Sequence, residues 1–137
     1  MVRNLMHDPL FLKIPSAEAT ADDAGVANDL RDTLLMHRAT CVGMAANMIG
    51  VSKRIIAFTE NGRVTVMYNP EIVSKSKPYP AEEGCLSLLG DPRPTVRFQT
   101  IRVAYRDEHF RAQTKTYKDF TAQIIQHEID HCNGILI

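Results

Sequence analysis

The first clear hydrophobic pattern of the chain lies between residues 21 and 38. Ala27, Leu30 and Leu34 recur there at the spacing of one helical face, and charged side chains fill positions between them. A pattern of this kind predicts an amphipathic helix whose apolar side is turned towards a core.

A second helical pattern covers residues 120–132, close to the end of the sequence. Asp119 stands directly before it and is a residue type that caps helix N-termini. Gly134 stands just after it, where glycine often ends a helix in a left-handed conformation. The sequence therefore predicts a terminal helix with both ends defined.

Between the two helices the hydrophobic period changes to two, which is typical of half-buried β-strands. Strand-like runs occupy residues 54–58 and 64–70, and an Asn-Gly turn signal at 61–62 joins them as a hairpin. Pro70 lacks the N–H that a sheet needs, so it predicts the end of the second strand. Residues 100–107 alternate between apolar and polar side chains, which predicts a further strand with one buried face.

An order of helix, short antiparallel strands and final helix predicts an α+β fold. We expect short antiparallel sheets packed around the C-terminal helix, together with the N-terminal helix. A chain of 137 residues is long enough to bury its own core, so residues 1–137 are expected to form a single domain.

The composition is that of an ordinary globular protein, with 45% hydrophobic and 23% charged residues. Lys and Arg together number 16, as do Asp and Glu, which argues against a general attraction to nucleic acid or membranes. The three cysteines are widely spaced and odd in number, which argues against a disulfide framework. No apolar run resembles a signal peptide or a membrane span, so we expect a cytoplasmic protein.

The strongest chemical signal is H-E-x-x-H at residues 127–131, inside the predicted terminal helix. His127 and His131 are one turn apart and project from the same face, so both imidazoles can reach one cation. Glu128 lies about 100° round the helix from His127, close enough to take a proton from water beside that cation. The pattern predicts a metal centre with its own general base, rather than two solvated histidines on a surface helix.

Such a centre needs a third protein ligand, and no His, Asp or Glu follows His131. We therefore expect the third ligand to come from earlier in the chain. The candidates are Cys85, Cys41, His7, His37 and His109. Cys85 is favoured because it follows Gly84 in a loop-like segment and because a thiolate binds divalent metals strongly.

Motifs in a characteristic order make the chain resemble the peptide deformylase family. E-G-C-L-S at 83–87 and Q-H-E-I-D-H at 126–131 match two of the family's motifs fully, and C-V-G-M-A-A-N-M-I-G at 41–50 matches another in part. The segments 67–72 and 101–107 also look like the family. The similarity therefore covers most of the chain.

The resemblance implies a metallohydrolase that acts on linear amides and removes the N-formyl group from peptides beginning with N-formylmethionine. It implies one divalent ion bound by Cys85, His127 and His131, commonly Fe(II) in the cell, with Zn or Ni as alternatives. Glu128 would act as the base and then as the acid. The backbone N–H of Leu86 would donate to the oxyanion.

A substrate pocket is expected beside this metal site. Its predicted lining residues are Val42, Gly43, Met48 and Ile124. Ile124 shares a helix face with Phe120, Gln123 and His127, and with Val42 they could form an apolar slot for a methionine side chain. The alternative interpretation of this helix face is ordinary packing in the core.

Charged residues near the motifs are expected to have structural roles. Glu83 and Arg97 are expected to form an ion pair that holds the cysteine segment against the terminal helix, with independent surface charges as the alternative. Asp130 either orients a structural partner or is simply solvated.

The motif at 41–50 departs from the family pattern G-x-G-x-A-A-x-Q at two positions. Cys41 replaces the first Gly, and Met48 replaces the Gln whose amide donates to the developing oxyanion in the family. A thioether cannot donate a hydrogen bond, and loss of one oxyanion donor typically costs about 10²–10³ in rate. Asn47 has a donor but would need a backbone shift to replace the Gln. We therefore expect a slow deformylase or one with a shifted substrate.

Two alternatives remain beside this function. A catalytically inactive paralogue that binds formylated N-termini or stores metal would show peptide binding without turnover. A zincin-like endoprotease is disfavoured because the sequence offers no ligand downstream of the motif. The expected partners are N-formylated nascent peptides, and the sequence leaves ribosome contact and the oligomeric state open.

Overall fold

A computed structural model describes residues 1–85 and 87–136, and its central feature is a five-stranded antiparallel sheet. The strands neighbour one another in the sheet in their sequence order. Their bounds are β1 (Gly43–Ala45), β2 (Ile55–Glu60), β3 (Arg63–Cys85), β4 (Leu88–Arg106) and β5 (Ala112–Lys118). Together with three α-helices, this sheet confirms the predicted α+β class.

The helices are α1 (Pro9–Leu12), α2 (Ala24–Met36) and α3 (Asp119–Cys132), with 3₁₀ turns at Ala21–Asp23 and Ala46–Ile49. α2 is the helix predicted for residues 21–38, but a 3₁₀ turn precedes it. In that turn the Thr20 hydroxyl accepts a hydrogen bond from the Asp22 N–H (3.2 Å), and the Asp23 carboxylate accepts one from the Thr20 N–H (2.8 Å). This reciprocal capping box satisfies N–H groups at the start of the helical segment. Within the described ranges, no helix is both long and apolar enough to cross a membrane.

The start of α3 differs from the prediction in its capping residue. Lys118 occupies the N-cap position, and Asp119 is the first helical residue, with a positive φ of 57°. The Asp119 carboxylate accepts a hydrogen bond from the side chain of Gln99 in β4 (3.1 Å). The prediction that Asp119 caps the helix is therefore wrong, because its side chain is used in a tertiary contact.

The end of α3 has the cap that the sequence predicts. Gly134 adopts a φ of 75°, in the left-handed region. Its N–H donates to the carbonyl of His131 (3.1 Å), and the N–H of Ile135 donates to the carbonyl of Asp130 (2.9 Å). These two bonds form a Schellman motif, which fixes the last helical turn and with it the position of His131.

The second predicted strand continues far past its expected end. A register shift between Tyr68 and Glu71 and a φ of 51° at Asn69 mark a bulge, which accommodates the missing N–H of Pro70. The prediction that Pro70 ends the strand is therefore wrong. β3 instead runs for 23 residues to Cys85 and pairs with β4, which has 19 residues.

The two long helices pack on opposite faces of the sheet. Ile55 of β2 belongs to a core cluster with Leu30 and Leu34 of α2. Ile56, the next residue, belongs to a second cluster with Ile125 of α3. Successive side chains of a strand point to opposite faces, so α2 covers one face and α3 covers the other. The face under α3 is therefore where the H-E-x-x-H residues meet the sheet.

Candidate metal centre

Three potential metal ligands from two elements converge at the end of β3. Cys85 is the last residue of that strand, and His127 and His131 come from α3. One ligand atom from each of the three residues lies within 4.8 Å of the other two. The histidine rings are buried, with centroids 5.0 Å apart, while Cys85 is half-buried. The structure thus brings together the two predicted histidines and the favoured third candidate.

The other four candidates for the third ligand are outside this cluster. The Cys41 thiol donates to a backbone carbonyl (2.9 Å), and burial raises its pKa to about 11. Nδ1 of His7 lies 3.1 Å from the carbonyl oxygen of Ser87. His37 is half-buried and His109 is exposed, and neither belongs to the cluster.

His131 is chemically suited to a bound cation. Its side chain is 0% exposed, and neither ring nitrogen has a hydrogen-bond partner among the described groups. Burying polar nitrogens without partners is unfavourable, so these atoms call for a ligand that the protein itself does not supply. Burial lowers the pKa of His131 to about 3, so the ring is neutral, which is the form that binds metal.

His127 is oriented by a carboxylate behind it. Its Nδ1 lies 2.8 Å from Oε1 of Glu83, so Nε2 is the ring nitrogen left to act as a metal ligand. Burial alone would lower the pKa of His127, but hydrogen bonds with Cys85 and Glu83 outweigh it and raise the pKa to about 10. A ligand histidine is neutral, so metal binding at this residue would release a proton. A carboxylate that orients a histidine is the usual arrangement behind metal ligands.

Glu83 is itself held by a buried ion-pair network. Its oxygens accept hydrogen bonds from Nε (2.9 and 3.0 Å) and Nη2 (2.6 Å) of Arg97, and from the amide of Gln123 (2.9 Å). Burial by itself would raise the pKa of Glu83, but the bonds from His127 and Arg97 hold it at about 2. The opposite side of the guanidinium contacts Asp130 (2.5 Å). The expected Glu83–Arg97 pair is confirmed, and Asp130 orients a structural partner.

Gln126 joins α3 to the sheet in the same region. Its amide oxygen accepts from the backbone N–H of Phe98 (2.8 Å), and its amide nitrogen donates to the carbonyl of the same residue (2.8 Å). The Gln126 amide therefore satisfies both backbone groups of Phe98, as a neighbouring strand would. The sequence places Gln126 beside His127 but gives it no role, because its partner is a backbone group distant in sequence.

Asn47 supports the histidine at the other end of the motif. Its side-chain nitrogen donates to the backbone carbonyl of His131 (2.8 Å), and Asn47 is almost fully buried. This bond orients the amide towards α3, and Asn47 is not among the residues that line the cavity beside Cys85, so it does not take the place of the Gln that Met48 replaces. The sequence does not predict this contact, because its acceptor is a backbone group 84 residues away along the chain.

The Glu128 side chain lies against Gly43 of β1. Its side chain is 3% exposed, and its Oε1 has no hydrogen-bond partner among the described groups. Burial raises the pKa of Glu128 to about 7. A Cβ at Gly43 would lie 2.8 Å from Oε2 of Glu128 and 2.6 Å from Cγ2 of Ile124, so any larger residue there would force one of these side chains to move.

A cavity of about 460 Å³ opens beside these residues. Cys85, His127 and Glu128 line it, as do all four predicted substrate residues, Val42, Gly43, Met48 and Ile124. Phe120 and Gln123 line it as well, so the helix face that carries them and Ile124 borders a cavity and not a closed core. Leu86, the predicted oxyanion donor, lies outside the residues that the structure describes.

Met48 contributes a sulfur atom to this cavity. Its Sδ accepts a hydrogen bond from the backbone N–H of Ala45 (3.4 Å) and lies 4.0 Å from Sγ of Cys85. The side chain is 1% exposed. A thioether, not an amide, therefore stands next to the cysteine of the cluster.

The sequence and the fold are both similar to those of known proteins. The polypeptide deformylase family model matches residues 4–137. The peptide deformylase of Clostridium beijerinckii is 50% identical over 137 residues, covering 100% of both chains. A peptide deformylase structure from Legionella pneumophila superposes with a TM-score of 0.89 at 34% identity, covering 99% of this chain and 83% of that one. The Met-Ala-Ser-bound class I type b peptide deformylase from Acinetobacter baumannii superposes with a TM-score of 0.88 at 29% identity, covering 99% and 96%.

Proposed function

The chain belongs to the polypeptide deformylase family, whose members remove the N-formyl group from nascent peptides, and we propose that it does so in the cavity beside Cys85, His127 and His131. The observation that carries this proposal is the convergence of one thiol and two imidazoles within 4.8 Å, next to a buried carboxylate. In the reaction, water adds to the formyl carbon and the C–N bond breaks. The products are formate and a peptide with a free amino terminus.

Cys85, His127 and His131 are the residues that would hold the metal, with Fe(II) as the proposed ion in the cell and Zn or Ni as substitutes. The two unpartnered nitrogens of His131 and the carboxylate behind His127 support this ligand set. When bound, such an ion supplies a positive charge that makes water more acidic and polarises a carbonyl oxygen.

Glu128 is the proposed general base and general acid. In its ionised form the carboxylate takes a proton from the attacking water. The same carboxyl group then gives that proton to the nitrogen of the leaving amine, so no net proton is consumed by the protein. An environment that raises the pKa of Glu128 to about 7 suits both steps near neutral pH.

Hydrogen-bond donors are needed to stabilise the negative charge that develops on the formyl oxygen. We assign one to the backbone N–H of Leu86, by resemblance to the family. Met48 cannot act as a second donor, because its sulfur only accepts hydrogen bonds. Asn47 donates to the backbone of His131 and does not line the cavity, so it does not supply the missing donor. The enzyme is therefore proposed to be slow on ordinary formylmethionyl peptides.

The cavity is the proposed binding site for the first side chain of the substrate. Val42, Gly43, Met48 and Ile124 give it largely apolar walls, which suit a methionine side chain. The relative from Acinetobacter baumannii has been crystallised with Met-Ala-Ser, and its fold matches this chain over 99% of the residues. A peptide of that sequence is therefore a rational test substrate.

The proposed activity is tested by formate release from formyl-Met-Ala-Ser, with protein loaded anaerobically with Fe(II). We expect release that depends on both the metal and the formyl group. Acetyl-Met-Ala-Ser serves as the matched substrate, and release of acetate from it would reveal a shift towards other acyl groups. If the formyl peptide binds but no formate appears under any metal loading, the chain is a binding paralogue and the proposed activity is wrong.

Met48→Gln is expected to raise the rate of formate release by about tenfold or more, because it restores an amide donor of the kind worth about 10²–10³ in rate. The measurement is kcat/KM for formyl-Met-Ala-Ser at equal metal content. Met48→Leu is the matched control, since it changes the side chain without adding a donor. Equal rates for the two variants would show that a missing donor does not limit this enzyme.

The cellular location and the domain organisation of the protein are also proposals. Formylated amino termini arise where translation begins, so we propose that the protein works in the cytoplasm and meets its substrates close to the ribosome. We further propose that residues 1–137 act as one deformylase domain, which the family match over residues 4–137 supports.

A further inference from the structure

We propose that the thioether of Met48 is a fourth protein ligand of the metal, which makes the centre a Cys-His-His-Met site with a preference for thiophilic ions. The proposal rests on the proposed function in one respect, namely that Cys85, His127 and His131 hold the ion. It adds a residue to that set and changes which metals the site favours.

The spacing of the two sulfur atoms fits a shared ion. Sδ of Met48 lies 4.0 Å from Sγ of Cys85. Two sulfur ligands, each about 2.3 Å from one ion with tetrahedral geometry, lie roughly 3.8 Å apart. A longer thioether bond widens that separation slightly, as in metal centres with a weak axial methionine. The separation of the two sulfur atoms is therefore compatible with one shared ion.

The position of the Met48 sulfur is fixed by the fold. The Ala45 N–H donates to Sδ (3.4 Å), and this bond occupies one side of the sulfur. The backbone carbonyl of Met48 accepts from the N–H of Met6 (2.7 Å), which anchors the 3₁₀ turn Ala46–Ile49. In the same turn Asn47 is bonded to the carbonyl of His131 (2.8 Å). One short turn thus positions the thioether and supports a proposed metal ligand.

The chemistry of a thioether explains the expected preference among metals. Met48 is neutral, so it adds a soft donor without adding charge to the single thiolate and two neutral imidazoles. Soft sulfur donors favour Cu(I) and other thiophilic ions over hard ones, and a Cys-His-His set with a weak methionine is a copper-binding combination. An amide at this position would offer no comparable ligand. Met48 therefore biases the centre towards soft ions through a weak and displaceable bond.

Cu(I) is the probe for this proposal. We expect X-ray absorption of the Cu(I)-loaded protein to count two sulfur ligands, and one in Met48→Leu. The affinity for Cu(I), measured by competition with a chromophoric chelator, should fall by about tenfold or more in Met48→Leu, the scale on which metal-site neighbours act. Met44→Leu is the matched control, because Met44 is fully buried in the same core cluster but does not line the cavity. That variant should keep two sulfurs and the original affinity.

A second measurement observes the methionine side of the proposed bond. In protein labelled with selenomethionine, absorption at the selenium edge should show a copper neighbour, which disappears in labelled Met48→Leu. A single sulfur in the wild-type centre, or an unchanged Cu(I) affinity in Met48→Leu, would show that Met48 is a core residue only and overturn the proposal. Either result would leave the proposed function intact if formate is still released. Failure of the wild-type protein to bind any ion would overturn the proposed function as well.

Discussion

Glu128→Gln is expected to lower kcat/KM for formyl-Met-Ala-Ser by about 10³, within the range of about 10²–10⁴ that general acid–base catalysis contributes. Glutamine has nearly the same shape but can neither take a proton from water nor deliver one to the leaving amine. Because Oε1 of Glu128 has no hydrogen-bond partner, the substitution breaks no described contact of that atom. The metal content should therefore stay the same while the rate of formate release falls.

The pH dependence of the same reaction gives an independent check on Glu128. Burial raises the pKa of this carboxyl to about 7, and a nearby cation shifts it downwards because it favours the ionised form. The base is active when ionised, so kcat/KM should rise with pH through an acid limb at or below about pH 7. That limb should be absent from the residual activity of Glu128→Gln. A variant that keeps both the rate and the acid limb would rule out Glu128 as the base.

Cys85→Ala is expected to remove most of the bound metal. The substitution deletes the only sulfur in the cluster of three ligands, and even partners outside the ligand set change metal affinity by about 10–100-fold. We expect the wild-type protein to retain close to one equivalent of Fe(II) or Zn after gel filtration, and Cys85→Ala to retain almost none. The measurement is elemental analysis of metal per protein chain.

Cys41→Ala is the matched control for this experiment. Cys41 also lines the cavity and is half-buried, but its thiol is bonded to a backbone carbonyl and does not belong to the ligand cluster. The control variant should therefore keep its metal. Equal metal retention in both variants would mean that the thiol of Cys85 is not a ligand.

The parts of the fold that follow from local patterns could be predicted from the sequence. Alternation at residues 101–105 places Ile101, Val103 and Tyr105 in the core, and the structure buries all three. The glycine after the terminal helix forms the expected Schellman cap. Such features depend on neighbours within a few residues, so a single sequence contains enough information to identify them.

The parts that depend on distant partners could not be predicted in the same way. Pro70 is a local signal to stop, but pairing of β3 with β4 and a bulge at Asn69 carry the strand through it. Asp119 is a good N-cap residue, but its carboxylate bonds to Gln99 of the neighbouring strand. In both cases a tertiary contact overrides a local preference.

The same division applies to the site. Helical spacing alone places His127 and His131 on one face of α3. The arrival of Cys85 beside them depends on the length of β3, which no local pattern reveals. The contacts of Asn47 and Gln126 are to backbone groups of His131 and Phe98, so residue types alone give no indication of them.

The ligand set of Cys85, His127 and His131 is tested most directly by anomalous diffraction from a crystal of metal-loaded protein, with data collected on both sides of the absorption edge of the metal. We expect one anomalous peak per chain, within bonding distance of Sγ of Cys85 and of one ring nitrogen of each histidine. A peak bound by other residues, or no peak in protein that releases formate, would contradict the proposed centre.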